Sequence, residues 1–307
     1  MSERKEVLWI AGGDGLVGRH IVKAIDNSKY DLVILSRKKN MQHKNNLQYV
    51  FWDTDQQFIQ EAPAPDHIIN LAGLGIADER WTDKRKAALV SSRVNSAITI
   101  KKYIESRNIK PKSYISASAV GYYGDRGEEI LTEESHKGNE FMSECCAEWE
   151  KAAAEAGALC DRMAIVRIGI VLSTLGGALP KMLMTRSIGI YNFFGNGKQF
   201  YPWIHIDDLS NLFITVIEND RYQGIYNAVA PQEITNKDMM MEIKQVNRLF
   251  GVLLPAPEFV LRAVLGEMAN VVLNSNRVQP VRLMQAGFNF KFTNAGEAVK
   301  DLMLKGI

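Results

Sequence analysis

A chain of 307 residues, 46% hydrophobic and 23% charged, has the length and apolar content for one large domain or for a domain with a smaller lobe. A formal net charge of +2 is too small to imply a nucleic-acid partner, and no run of about 18 apolar residues offers a membrane span. The three cysteines, Cys145, Cys146 and Cys160, have no CxxC spacing, which excludes a zinc knuckle or a disulfide framework; with no secretion signal at the N-terminus, the expectation is a reducing, cytoplasmic setting and no metal.

Residues 7–11 are an apolar run that reads as a strand, and Gly12, Gly15 and Gly18 then follow in a GxxGxxG spacing, with helical periodicity resuming at Leu16 and Val17. Glycines at these positions allow a tight turn, a close approach of backbone N–H groups to a pyrophosphate and close packing of helix on strand. Such turns are common, so the motif by itself leaves a cofactor site and a plain turn equally open. A second buried strand, residues 31–35, runs into Ser36, Arg37, Lys38 and Lys39. Where an NAD site carries an acid for the ribose 2′-hydroxyl, this chain has Ser and Arg, a combination suited to a 2′-phosphate and so to NADP(H). Without the glycines the same residues would read as a solvated basic turn.

The β-rich residues 47–53 end in Asp53, either a partner for an adenine amine or a helix cap. Residues 66–73 are an apolar strand of the parallel-sheet kind whose small-residue end, Leu71-Ala72-Gly73, lets backbone lie against a cofactor. The alternation predicts an α/β fold: a doubly wound parallel sheet (Rossmann), with ligands at the carboxyl ends of the strands. Helical spacing holds from 77 to 107. A strand at 115–120 carries Ser116 and Ser118, hydroxyls read either as backbone-bonded or, for Ser118, as catalytic. Tyr122 and Tyr123 follow in a turn, then an acidic loop and a helix over 139–156.

In the strand at 164–172, Arg167 calls for an anionic or carbonyl partner. Gly176-Gly177 opens a helix through 184, residues 203–206 are a short strand, and Asp207 and Asp208 begin a helix to 219. His205 reads as a structural hydrogen-bonder ahead of a general base. Residues 224–231 are the last clear strand, and the remainder is mostly helical, with Met239, Met240 and Met241 as core filler. The expected division is 1–172 as an NADP-binding domain and 173–307 as a smaller, mostly helical substrate-side lobe with a C-terminal extension, the strand at 224–230 returning to the main fold.

Several motifs together carry a family resemblance: the Gly12–Gly18 turn, Asn70-Leu71-Ala72-Gly73, Arg80-Trp81-Thr82, Ser92-Arg93-Val94, the run from Ser116 to Gly124, Trp149-Glu150, Arg167-Ile168-Gly169, Trp203 to Asp208 and Asn227 to Pro231. On these the chain resembles the extended short-chain dehydrogenase/reductase family, and within it the atypical branch of epimerase family proteins related to nucleoside-diphosphate-sugar epimerases. The resemblance covers nearly the whole chain. It implies an NADP(H) site built from Gly12, Gly15, Leu16, Val17, Gly18, Ser36, Arg37, Lys38, Asp53, Leu71, Ala72, Gly73, Arg93 and Ser116. It also implies a cleft for a small-molecule substrate near Arg80, Trp81, Arg167, Trp203 and His205.

The same resemblance exposes a departure. The family places Tyr-x-x-x-Lys on the helix after the serine strand, the Tyr as acid/base and the Lys holding the ribose hydroxyls, whereas this chain has Phe141 and Cys145, which can do neither. A second departure is Phe200-Tyr201-Pro202, where sugar-nucleotide enzymes carry an arginine for the substrate diphosphate. Two functions remain open. One is an NADP-dependent oxidoreductase or epimerase-like enzyme using Ser118 to polarise a carbonyl and Tyr122 or Tyr123 as proton donor; the other is a catalytically inactive NADP(H)-binding sensor or interaction module. The helices expected over 84–106 and 139–156 would pair two copies as a homodimer, unless their apolar positions bury against the sheet instead.

Overall fold

A computed structural model describes residues 4–39, 47–247 and 250–305. The first half contains β1 (Glu6–Ala11), α1 (Leu16–Ala24), β2 (Tyr30–Ser36), β3 (Leu47–Asp53), β4 (Phe58–Ile59), β5 (His67–Asn70), α2 (Asp83–Ser106), β6 (Ser113–Ala119), β7 (Ile130–Leu131), α3 (Phe141–Gly157), β8 (Arg162–Ile168) and β9 (Ile170–Leu172). The second half adds α4 (Ala178–Met182), β10 (Ile190–Phe194), β11 (Trp203–His205), α5 (Ile206–Glu218), β12 (Gly224–Ala228), α6 (Asn236–Asn247), β13 (Val252–Ala256) and α7 (Glu258–Leu265). It closes with α8 (Asn270–Leu273), β14 (Arg277–Val278), α9 (Val281–Gln285) and α10 (Ala295–Lys305).

Eight strands form one sheet in the order β12-β8-β6-β5-β1-β2-β3-β4, parallel throughout except for β4. Strand β1 is apolar on both sides because both faces are covered. Leu8 and Ile10 pack toward Ile21 of α1 and Leu209 and Phe213 of α5, while Trp9 and Ala11 pack toward Ala97 and Ile100 of α2 and Ala153 of α3. The chain winds outward from β1 through β2 and β3, then restarts at β5 on the other side of β1. This reversal splays the connections leaving β1 and β5, and the crevice at their carboxyl ends is where a doubly wound sheet takes a ligand.

The apolar positions of α2 and α3 that suggested self-complementary dimer faces, Leu89, Ile100, Ile104, Ala153 and Ala156 among them, are buried inside the chain. A second core joins α6 and α10 to β10 and β11, with Trp203, Met239, Met240 and Val299 at its centre. The tail is less helical than expected. Strand β13 pairs in parallel with β10, and it escaped the sequence reading because its residues are largely exposed and Pro255 argues against a strand. Helix α2 begins at Asp83, capped by the Thr82 hydroxyl, so residues 77–82 are free to form a loop. Among the described residues no helix is long and apolar enough to cross a membrane.

Candidate cofactor and catalytic site

The glycine turn sits at the carboxyl end of β1. Gly12 has φ +79°, and a Cβ there would lie 2.9 Å from the Leu71 carbonyl carbon; at Gly18 it would lie 2.4 Å from the Gly12 carbonyl oxygen. Glycine is therefore required for α1 to pack on the turn and for the turn to meet the loop after β5. Gly15 caps α1 with no side chain, which leaves the N–H groups at Leu16 and Val17 in the first turn suited to an anion. At the end of β2 the Ser36 hydroxyl donates to Asp14 in the turn (3.3 Å) and accepts from the Lys38 N–H (3.2 Å). Arg37 and Lys38 are exposed, and no ion pair engages either among the described residues. Asp53 accepts the N–H groups of Asp55 and Gln56, so it caps a turn into β4 instead of a helix.

Asn70 fixes the loop after β5. Wholly buried, it donates to Ser96 and Tyr114 (both 3.0 Å) and accepts from Ala72 N–H (3.2 Å), which sets Leu71-Ala72-Gly73 against Gly12. The next three carbonyls are each held by a side chain from the α2 side: Leu74 by Arg93 (3.0 Å), Gly75 by Arg85 (2.8 Å) and Ile76 by the Trp81 indole (2.8 Å). Phe141, the first residue of α3, meets Trp81 edge-on at 5.0 Å, with the Lys86 ammonium over its ring. Cys145 is buried one turn further on, and burial raises the pKa of its thiol, so it is not poised as a thiolate. Arg80 is exposed and reaches the Ala263 carbonyl at the end of α7 (3.4 Å).

At the carboxyl ends of β6 and β8 lies a closed polar network. Arg167 makes a two-pronged pair with Glu150 (2.8 Å and 2.8 Å), Ser118 donates to the same carboxylate (2.7 Å), and Arg167 also donates to the Tyr123 hydroxyl (2.9 Å), which itself donates to Asn227 (2.7 Å). Burial disfavours the Arg167 charge, yet the Glu150 carboxylate keeps its pKa above the ordinary value. The phenol of Tyr123 is pushed up to about 12, chiefly by burial.

Six of the residues singled out in the sequence find their partners inside the protein. Arg167 finds inside the protein the anionic partner that its place in an apolar strand calls for. The Ser118 and Tyr123 hydroxyls are both engaged internally. The hydroxyl of Ser116 bonds the Ala117 carbonyl, the backbone alternative. Trp203 lies wholly in the second core with its indole on the Gln232 carbonyl, and His205, also fully buried, caps α5 by accepting from Asp207 N–H, stacked on Phe292 at 4.0 Å. Tyr122 is the one candidate donor left half-buried, its ring 3.6 Å from the Arg167 guanidinium.

Residues 8–228 match the NAD dependent epimerase/dehydratase family, and residues 256–302 match a domain of unknown function, DUF1731. The chain belongs to the NAD dependent epimerase/dehydratase family. It is 33% identical over 308 residues to an epimerase family protein of Staphylococcus epidermidis, covering 96% of this chain and 98% of that one. It is 31% identical to a chloroplastic epimerase family protein of Arabidopsis thaliana, a homolog of SDR39U1, over 98% of this chain and 88% of that protein. Among solved structures, the human epimerase family protein SDR39U1, crystallised with NADPH, superposes with a TM-score of 0.87 at 27% identity, covering 96% of this chain and 98% of that one.

As an atypical epimerase/dehydratase, the chain keeps the sheet and the glycine turn while its α3 presents an aromatic ring and a thiol. Sequence reasoning missed Asn70, Glu150 and Asn227 as network centres. A polar residue ending an otherwise apolar strand, as Asn70 does, was the available signal; Glu150 and Asn227 become partners of Arg167 and Tyr123 only through the fold.

Proposed function

We propose that this epimerase/dehydratase-family protein binds NADP(H) in the crevice between β1 and β5 and uses it as a hydride carrier for a small substrate, without a Tyr-x-x-x-Lys pair. The observation that carries the reading is the meeting of the side-chain-free Gly12–Gly18 turn with the fixed Leu71–Gly73 backbone, next to a β2 end that offers Arg37 and Lys38. A Cβ would fill that cradle, so the residues present fit a dinucleotide. The NADPH in the human relative is consistent with the same preference. Bound NADP(H) supplies the hydride; the chain's own residues hold it, orient it and limit water.

Phe141 cannot exchange a proton, and the Ser118 and Tyr123 hydroxyls are spent on Glu150 and Asn227. That argues against epimerisation through a side-chain base on α3 and in favour of reduction in which Tyr122 or solvent supplies the proton. A second reading, binding without turnover, is favoured by the same engaged hydroxyls. NADPH absorbance decay against aldehydes, ketones and quinones separates the two. Consumption that falls at least about tenfold in Tyr122→Phe supports the enzyme with Tyr122 as donor. NADPH binding with no consumption by any acceptor supports the sensor, and absence of NADPH binding contradicts both.

A further inference from the structure

Among the described residues thirteen large apolar side chains are exposed, and nine of them fall between Leu175 and Val264. Five of the nine surround one two-stranded sheet. Strands β10 and β13 pair in parallel, with Ile190 beside Val252 and Asn192 beside Leu254. Tyr191 and Leu253, the alternate residues, turn to the second core, so Val252 and Leu254 stand on the opposite face, where they are 55% and 42% exposed. The Thr185 hydroxyl donates to the Ile190 carbonyl (2.7 Å), and the Val252 N–H donates to the Gly189 carbonyl (2.9 Å), which gathers Met184, Ile188 and Phe250 around the same sheet. Met184 and Ile188 are 76% and 70% exposed, and Phe250 is wholly so. Single exposed apolar residues are ordinary; a contiguous set on one face marks an interaction surface.

The charges around that face say what it meets. Residues 173–200 and 243–257, which hold these five side chains, carry five basic residues and no acid, in a chain whose 37 basic and 35 acidic residues nearly balance. Lys181 and Arg186, within a few positions of Met184 and Ile188, are exposed, and no ion pair engages either among the described residues. A second copy fits poorly, because a symmetric pairing about this face would set its cations against their own copies with no acid to receive them. Met184, Ile188 and Phe250 project from the turns that lead into β10 and β13. Projecting apolar side chains among unpaired cations suit the interface of an anionic bilayer, where the apolar groups enter the boundary between headgroups and acyl chains and the cations meet lipid phosphates.

We propose that this face of β10 and β13 is a peripheral docking surface for an anionic lipid bilayer: Met184, Ile188 and Phe250 enter the headgroup layer, and Lys181 and Arg186 meet the lipid phosphates. The proposal is independent of the NADP(H) reading and needs no segment that spans the bilayer.

The test is flotation of the full chain with vesicles of phosphatidylcholine alone and of phosphatidylcholine mixed with phosphatidylglycerol. Wild-type protein binds the mixed vesicles, ignores the neutral ones and is released as ionic strength rises. Lys181→Glu with Arg186→Glu weakens binding to the mixed vesicles at least about tenfold, and Ile188→Ser with Phe250→Ser does the same from the apolar side. All four sites are exposed, so both double variants keep the wild-type urea midpoint; the two pairs are independent, and one decides if the other fails to fold. Lys181→Arg with Arg186→Lys retains binding. Wild-type protein that binds neither vesicle overturns the proposal, as does binding to both alike or binding that neither pair of substitutions weakens. Retention on immobilised polyglutamate without vesicle binding would give the face to an acidic protein, and self-association that Ile188→Ser with Phe250→Ser abolishes would give it to a second copy; either result overturns the proposal.

Discussion

Arg37 stands exposed at the end of β2, one residue after the Ser36 hydroxyl that reaches the glycine turn, so removing it should not disturb packing. Losing one charge-assisted contact to a 2′-phosphate costs on the order of 1.5–3 kcal/mol, so Arg37→Ala weakens NADPH at least about tenfold and NADH little. Parallel tryptophan-quenching titrations check it, and equal losses for the two cofactors contradict it. Arg167 is the opposite case, with its value in the fold. Arg167→Met leaves the Glu150 carboxylate buried and uncompensated, at a cost of about 3–5 kcal/mol of stability, read as the shift of a urea unfolding midpoint. A change below about 1 kcal/mol would show that Glu150 finds water or a proton instead. The need of Arg167 for a partner was legible in an apolar strand. Its partner was not, because Glu150 lies on α3 and reaches Arg167 only once α3 packs on the sheet. The partner of Ser118 was hidden for the same reason: neither a backbone bond nor a free hydroxyl anticipates the carboxylate that the helix above it delivers.

Helix α5 starts on a buried histidine, and that ties its stability to pH. Burial lowers the His205 pKa to about 4 from 6.5, so as the pH falls the unfolded chain takes up the proton first. Stability is level with respect to this group above about pH 6.5 and is lost progressively between there and about pH 4; His67, also lowered by burial, acts in the same direction. His205→Asn retains a capping oxygen for Asp207 N–H and flattens the acid limb of the melting-temperature profile across that window. An unchanged slope would place the acid sensitivity elsewhere. At this scale the sheet was readable, since β1, β2, β5, β6 and β8 are strands buried over most of their length. The elements near the crevice were read less well. Apolar spacing carried α2 back to 77, but Arg80 and Trp81 point to loop and tail carbonyls, and the helix waits for the Thr82 cap. Helix α7 shows the reverse, an apolar segment with no buried residue, its Phe259 and Val264 largely exposed.

For the whole molecule, the decisive feature is the reversal of strand order between β1 and β5, which creates one crevice and brings to it the glycine turn, the basic end of β2, the Asn70-fixed loop, Arg93 and the start of α3. The alternation of strands and helices predicted that crevice, and the GxxGxxG spacing predicted the side-chain-free turn at its β1 end. The residues at its α3 side were named from the sequence, but their contacts were not legible there, because those of Phe141 with Trp81 and of Arg93 with Leu74 join segments about 20 to 60 residues apart. The account stands on the phosphate end, and binding of the two cofactors to the wild-type chain tests it most directly. Titrated side by side at fixed ionic strength, NADPH should bind at least about tenfold tighter than NADH; equal affinity, or tighter binding of NADH, would contradict it.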